Sequence, residues 1–367
     1  MDPLAHTLAG ATLAETGLRR SSRLATPALL IGANLPDVDG IASLMEPDVM
    51  YAFRRGWTHG VLAMVVLPWV LWGLLLLYAR LRPNARDGPP LRPWRLLAIA
   101  YLGVLTHPLL DWLNNYGVRL LMPFDDSWHY GDALFIVDPW MWLSMASAVV
   151  LARTSHRLVL AGWVLLAVLT SAAVLGSGAV PLAGCIVWVV AVLAIAIARA
   201  SQAARSRARA VARAALAFLA LHIAANLAIT ALAREEGRRW AVAQGMNVER
   251  VVAGPIAANP LKRDVIVLAG GHYTFLWVTL LGPERVVRGH APIAVNDSPQ
   301  ARRALAAPGI EGYAHWLRLP AFELEPTAAG TRVWVRDVRY SRMRAGIGRA
   351  YVEFDLAGQP IQTWVNH

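Results

Sequence analysis

The chain reads as an α-helical polytopic membrane protein with about six spans, short N-terminal helices before them and a C-terminal β-rich extramembrane domain after them. Three observations predict this class. Of 367 residues, 56% are hydrophobic and only 16% are charged, against roughly 25% charged in a typical soluble domain. Apolar runs of about 20 residues, the length that crosses a hydrocarbon core, recur through the first two-thirds of the chain. From about residue 235 these runs shorten and give way to period-two alternation bounded by Gly and Pro, which is a strand signature.

The elements follow in order. Residues 4–17 form an Ala/Leu/Gly-rich helix too short to span, and 24–36 is a short apolar run ending at Pro36. Both are expected to lie against the bundle or enter it partway. No cleavable signal peptide is expected, because no basic residue precedes Arg19. Spans are expected at 58–79, 94–116, 134–152, 158–175, 179–198 and 210–233. Pro108 and Pro139 interrupt two of them, as membrane helices tolerate when neighbours satisfy the freed carbonyls. Strands are expected at Asp264–Leu268, Tyr273–Leu280, Thr331–Arg336 and Tyr351–Leu356. The domain organisation is therefore 1–145 as a membrane region bearing the candidate site, 146–234 as further spans and 235–367 as the β-rich domain.

The net charge of +11 does not argue for nucleic acid. The arginines gather in short runs between apolar stretches, the pattern of cytoplasmic loops under the positive-inside rule. No basic face interleaved with aromatics suggests a single-strand binder, so no direct nucleic-acid binding is expected. The loops near 80–95 (Arg80, Arg82, Arg86, Arg92 and Arg95 against Asp87) and 199–213 (Arg199, Arg205, Arg207, Arg209, Arg213) are separated by four spans. Both are therefore expected in the cytoplasm. This puts His59, the end of the second span and the C-terminal domain on the periplasmic side; Arg54 and Arg55 oppose that bias. Cys185 is alone in an apolar run, so no intrachain disulfide exists.

Polar islands in the first 140 residues carry the candidate chemistry: MDPLAHTLAG, ANLPDVDG, FRRGWTHG and LTHPLLDWLNNYG. Ionisable groups in or beside membrane segments are costly and point to function. His6, Asp37, Asp39, His59, His107 and Asp111 are all residue types that ligate divalent metals. His107 and Asp111 are four apart in a helical stretch and share a face. Asp37 and Asp39, in a stretch expected to be extended or turning, would point the same way. Ala9 and Gly10, after His6, permit close helix approach. Mixed imidazole and carboxylate donors suit Zn²⁺, with Mn²⁺ or Fe²⁺ as alternatives. Six candidates exceed one tetrahedral zinc, so one or two ions are expected. His156 and His222 stay outside the set, the latter with no partner evident nearby. His272, His290, His315 and His367 have no ligand spacing and read as ordinary loop or strand residues.

The strings HTLAG, NLPDVD, RRGWTHG, THPLLDWLNNYGVRLLMPF and YGDALFIVDPW resemble the membrane-bound metal-dependent hydrolase family, also described as LexA-binding, inner-membrane-associated hydrolases. The resemblance covers roughly residues 1–145. It implies a bacterial inner-membrane protein with metal-dependent hydrolase activity, and its motif residues fall on His6, Asp37, Asp39, His59, His107 and Asp111. Arg55 matches the family's basic residue before the Gly-x-Thr-His string, and the last string adds Asp132 and Asp138.

The expected function is metal-assisted hydrolysis at the membrane interface, on a phosphoester or lipid-linked substrate. Asp39 or Asp138 would be general base or orienting carboxylate, and Arg55 would steady an anionic substrate group. The alternative is a non-catalytic scaffold or regulatory protein whose polar islands form a structural metal or hydrogen-bond network, with a protein partner elsewhere. A transporter is disfavoured, because the polar groups cluster at one mouth and no inverted repeat is evident.

Overall fold

The computed structural model describes residues 1–82, 88–153, 156–178, 180–281, 285–341 and 348–366; Arg86, Asp87 and His367 lie outside the described residues. Contacts divide the chain into two units. The first comprises residues 1–37, 58–230 and 254–262, and the second residues 38–57, 231–253 and 263–367.

In the first unit, Asp2 caps α1 (Pro3–Glu15), its carboxylate accepting from the Ala5 N–H at 3.0 Å, with Pro3 at the first helical position. α2 (Ala25–Gly32) follows, and a 3₁₀ stretch, Leu35–Leu44, leads to α3 (Pro47–Phe53) of the second unit. Then come α4 (Val61–Leu81), α5 (Pro93–Trp112), α6 (Pro139–Arg153), α7 (Arg157–Gly176), α8 (Leu182–Ala200), the short α9 (Gln202–Ser206) and α10 (Ala208–Ala243). Leu29, Leu71, Leu75, Leu96 and Val104 join α2, α4 and α5 in one core. Leu8, Leu110, Leu134, Met141 and Leu219 form another, which joins α1, α5, α6 and α10.

Small residues set the helix spacing. A Cβ on Gly10 would meet the Leu29 carbonyl oxygen at 2.6 Å, and one on Gly103 the Ala28 oxygen at 3.0 Å. α1 and α5 thus touch α2 nearly backbone to backbone, as small residues allow in membrane helices.

Length and composition single out four described helices as able to cross a membrane (α4, α7, α8 and α10) rather than six. The expected second and third spans are α5 and α6. α6 has 15 residues, about 22 Å at 1.5 Å per residue, short of a core of about 30 Å. α5 is long enough at 20 residues, but Arg95, Thr106, His107 and Asp111 break its apolar character. α7 and α8 bury only 6% of their apolar windows within the protein. Their outer surfaces are therefore suited to lipid rather than water.

The second unit contains most of two antiparallel sheets. β1 (Val248–Ile256), β2 (Asn259–Ala269), β3 (His272–Thr279) and β4 (Val286–Arg288) are neighbours in that order, and β5 (Ile293–Ala294) pairs with β3. Two short helices follow, α11 (Pro299–Leu305) and α12 (Glu311–Trp316). They precede a four-stranded meander of β6 (Pro320–Pro326), β7 (Gly330–Asp337), β8 (Arg349–Asp355) and β9 (Pro360–Val365). The four expected strands overlap β2, β3, β7 and β8, with ends differing by a few residues and Leu280 and Leu356 lying just beyond β3 and β8. Alternation is visible in β7, where Val333, Val335 and Asp337 are buried and their neighbours are partly exposed. α12 packs on α3: the Tyr313 N–H donates to Asp48 Oδ1 at 2.8 Å, and the Tyr51 and Trp316 rings lie 4.9 Å apart.

Candidate metal centre

Three segments of the first unit bring ligands together. α5 carries His107 and Asp111 one turn apart on its buried face, both 0% exposed. His59, also fully buried, sits just before Gly60, which opens α4. Asp37, on the 3₁₀ stretch after α2, is partly exposed, its side chain 20% accessible.

The donor atoms of Asp37, His59, His107 and Asp111 all lie within 4.8 Å of one another. His59 Nε2 is 3.1 Å from His107 Nε2 and 3.3 Å from Asp111 Oδ2, and His107 Nε2 is 3.5 Å from the same oxygen. Asp37 Oδ1 is further out, 3.6 Å from His107 Nε2 and 4.0 Å from His59 Nε2. A tetrahedral zinc with bonds of about 2.0–2.1 Å separates its ligand atoms by about 3.3–3.4 Å. The three buried donors match that spacing and Asp37 is slightly outside it.

Outer contacts orient the ligands. The Ala33 carbonyl lies 2.7 Å from His107 Nδ1 and can only accept, so Nδ1 carries the proton and the Nε2 lone pair is aimed into the cluster. Thr58 Oγ1 lies 2.9 Å from His59 Nδ1. His6, fully buried, stacks on His107 at 3.7 Å, and its Nε2 is 3.3 Å from Asp111 Oδ1. The Met1 amino group contacts the same oxygen. Asp111 thus turns one oxygen to the two-histidine pair and the other to His6. Burial pushes the Asp37 carboxyl up, but the hydrogen bond and charge of His107, with the charges of His59 and His6, outweigh it and leave it well below the usual carboxylate value.

Asp39 does not join these donors. Two residues of a 3₁₀ helix are about 240° apart, so Asp37 and Asp39 diverge instead of pointing the same way as an extended chain would have them. Asp39, grouped with the second unit, accepts the Arg55 N–H at 2.7 Å. Arg55 itself is buried in that unit with a left-handed backbone, φ 53°. Asp138 caps α6, accepting from the Met141 N–H at 2.8 Å, and faces His222 Nε2 at 3.3 Å. His222 therefore has a partner that sequence reasoning missed, and Asn226 adds a second contact at 3.3 Å. A signal existed: His222, Asn226 and Thr230 recur every four residues along the last span and all face inward. Thr230 donates to the Asp132 carbonyl at 3.0 Å.

Residues 1–180 match the model of a family described as YdjM inner membrane protein. Among curated proteins, the uncharacterised protein YfhP of Bacillus subtilis (strain 168) is 30% identical over 122 residues, 33% of this chain and 35% of that protein. The match thus spans about a third of the length of this curated relative. No solved structure matches. The inner-membrane family match and the four long apolar helices together support a membrane location.

Proposed function

We propose that the chain is a membrane-embedded, metal-dependent hydrolase acting at the membrane interface on a lipidic or lipid-linked phosphoester. One observation carries the reading: the fully buried His59, His107 and Asp111 have their donor atoms at the mutual spacing of a single ion's ligand shell, with the Asp37 carboxylate just beyond it. The donor set is that of Zn²⁺, with Mn²⁺ or Fe²⁺ as alternatives. His59, His107 and Asp111 would hold one ion, as three protein ligands do in catalytic zinc sites. Bound there, the ion supplies Lewis acidity and activates water near neutral pH.

The chain's own groups do the rest. Asp37, longer in its contacts and open on one side, remains ionised and accepts the proton of the attacking water. His6, against the far oxygen of Asp111, would orient that ligand carboxylate. His59 sits at the start of the apolar helix α4, where a lipid headgroup would lie, with His107 and Asp111 beside it near the end of α5, and this supports the substrate class. We further propose that the site faces the periplasm. His6 and Glu15 are nine residues apart on α1, about 13 Å, and the arginines gather at the Glu15 end. The positive-inside rule puts that end in the cytoplasm.

The test is elemental analysis of the detergent-purified chain beside His59→Ala and Asp111→Ala. One equivalent of transition metal, absent from both variants, is expected, and wild type should cleave nitrophenyl phosphoesters while the variants should not. Metal-free wild type would sink the reading. Chelation separates catalysis from stapling: a site with an open position should lose metal and activity with a modest fall in Tm. A closed structural site should lose the fold as well.

A further inference from the structure

Two adjoining basic cavities at the end of the first unit away from the metal centre meet an apolar groove that runs along α6. One, of about 740 Å³, lies among the ends of α1 and α6 and the α9–α10 junction, where Arg19, Arg20, Arg205, Arg207, Arg209 and Arg213 surround a single acid, Glu15. Arg20, Arg209 and Arg213 also line an adjoining cavity of about 540 Å³. Glu15 is already engaged by Arg153 at 2.7 Å and Arg19 at 3.4 Å. Among the described residues, Arg20, Arg205, Arg207, Arg209 and Arg213 make no ion pair. Arg209 and Arg213 are one turn apart at the start of a 36-residue helix, whose N-terminal dipole adds to their field.

The third cavity is a groove of about 390 Å³ between α6, α7 and α8, lined almost wholly by apolar side chains, among them Trp142, Trp163, Ala167 and Trp188, and reaching Arg199. The groove and the basic cavity adjoin along the last turn of α6: Val150 lines one, Leu151 and Ala152 the other.

We propose that the adjoining cavities form a site for one anionic phospholipid, its phosphate held by Arg20, Arg209 and Arg213 and an acyl chain lying in the α6–α7–α8 groove. The charge argues for the headgroup, since cationic pockets between membrane helices recruit anionic lipids. The apolar groove beginning beside those cations argues for a lipid over a free phosphate, which would leave it unused. The site is independent of the proposed metal chemistry, and its test does not involve metal or hydrolysis.

The full chain in neutral detergent would be titrated with dioleoyl phosphatidylglycerol, dioleoyl phosphatidylcholine and glycerol 3-phosphate, read by native mass spectrometry and by Tm. A single phosphatidylglycerol adduct that saturates at a concentration about tenfold below phosphatidylcholine is expected, with a matching rise in Tm. The double variant Arg209→Gln/Arg213→Gln, at exposed positions, should abolish that preference while keeping wild-type size-exclusion behaviour. Ala167→Trp, which fills the groove, should weaken adduct retention with the arginines intact. Equal retention of the two lipids would overturn the proposal, as would an unchanged preference in the arginine variant or an unaffected adduct in Ala167→Trp. Displacement of phosphatidylglycerol by glycerol 3-phosphate at matching concentration would make the ligand a soluble phosphate ester and overturn the lipid assignment.

Discussion

Gly60→Ala is the sharpest probe of how the fold builds the cluster. Gly60 follows ligand His59 and opens α4 with an ordinary extended backbone, φ −76° and ψ 169°, so alanine meets no dihedral strain there. Its problem is space: a Cβ would lie 2.4 Å from the Met122 carbonyl oxygen and 2.6 Å from Met122 Cβ. Ordinary contact begins near 3.4 Å, so the backbones must part by about 1 Å. The neighbouring Val61 N–H to Leu120 O bond, 2.9 Å, resists that movement. Overpacking of this kind costs about 1–3 kcal/mol, and metal sites tolerate ligand displacements of only about 0.2 Å. His59 Nε2, 3.1 Å from its neighbour His107 Nε2, should be carried out of range. The assay is metal content and affinity by competition with a chromophoric chelator, with Tm measured on the apo-protein. Gly73→Ala is the control, because a Cβ there meets nothing within 4 Å; it should be neutral or stabilising by about 0.5–1 kcal/mol. Gly60→Ala retaining wild-type metal affinity and Tm would refute the claim that this close approach sets the position of His59.

Asp138→Ala removes both the α6 cap and the partner of buried His222. A loss of about 1–3 kcal/mol is expected from the missing cap and the buried polar group left without its partner, seen as a lower Tm with metal stoichiometry unchanged; loss of metal would tie Asp138 to the centre after all. Metal affinity should fall as pH drops, because protons compete with the ion for the ligand imidazoles and carboxylates; an affinity that does not change with pH would exclude those ligands. In the apo-protein the Asp37 carboxyl is depressed in the folded state, so the unfolded chain binds more protons between the two values. Its contribution is thus complete above the unfolded value of 3.8 and lost as pH falls through the folded one. Asp37→Asn should flatten apo-protein stability below about pH 4, measured by Tm against pH.

Much of this protein is legible along the chain because its signals are local. Membrane helices announce themselves by runs of apolar residues, and α4, α7, α8 and α10 coincide with expected spans. Strands β2, β3, β7 and β8 follow from period-two alternation, which a one-residue count reveals. The pairing of His107 with Asp111 needs only the 3.6-residue turn. Neither α5 nor α6 meets the length and composition of a span, because the polar groups of α5 and the brevity of α6 outweigh their apolar character.

What only the tertiary structure decided depends on direction and on partners distant in sequence. The 3₁₀ geometry after α2 separates Asp37 from Asp39, a difference invisible to residue type. Asp138 and His222 are 84 positions apart and meet because α10 packs beside the start of α6. Gly10 and Gly103 let α1 and α5 approach α2, which seats His6 and His107 ring on ring. Residue chemistry nominates the ligands, but a metal centre needs several donors within about one ligand shell, and only packed backbones set distances that fine.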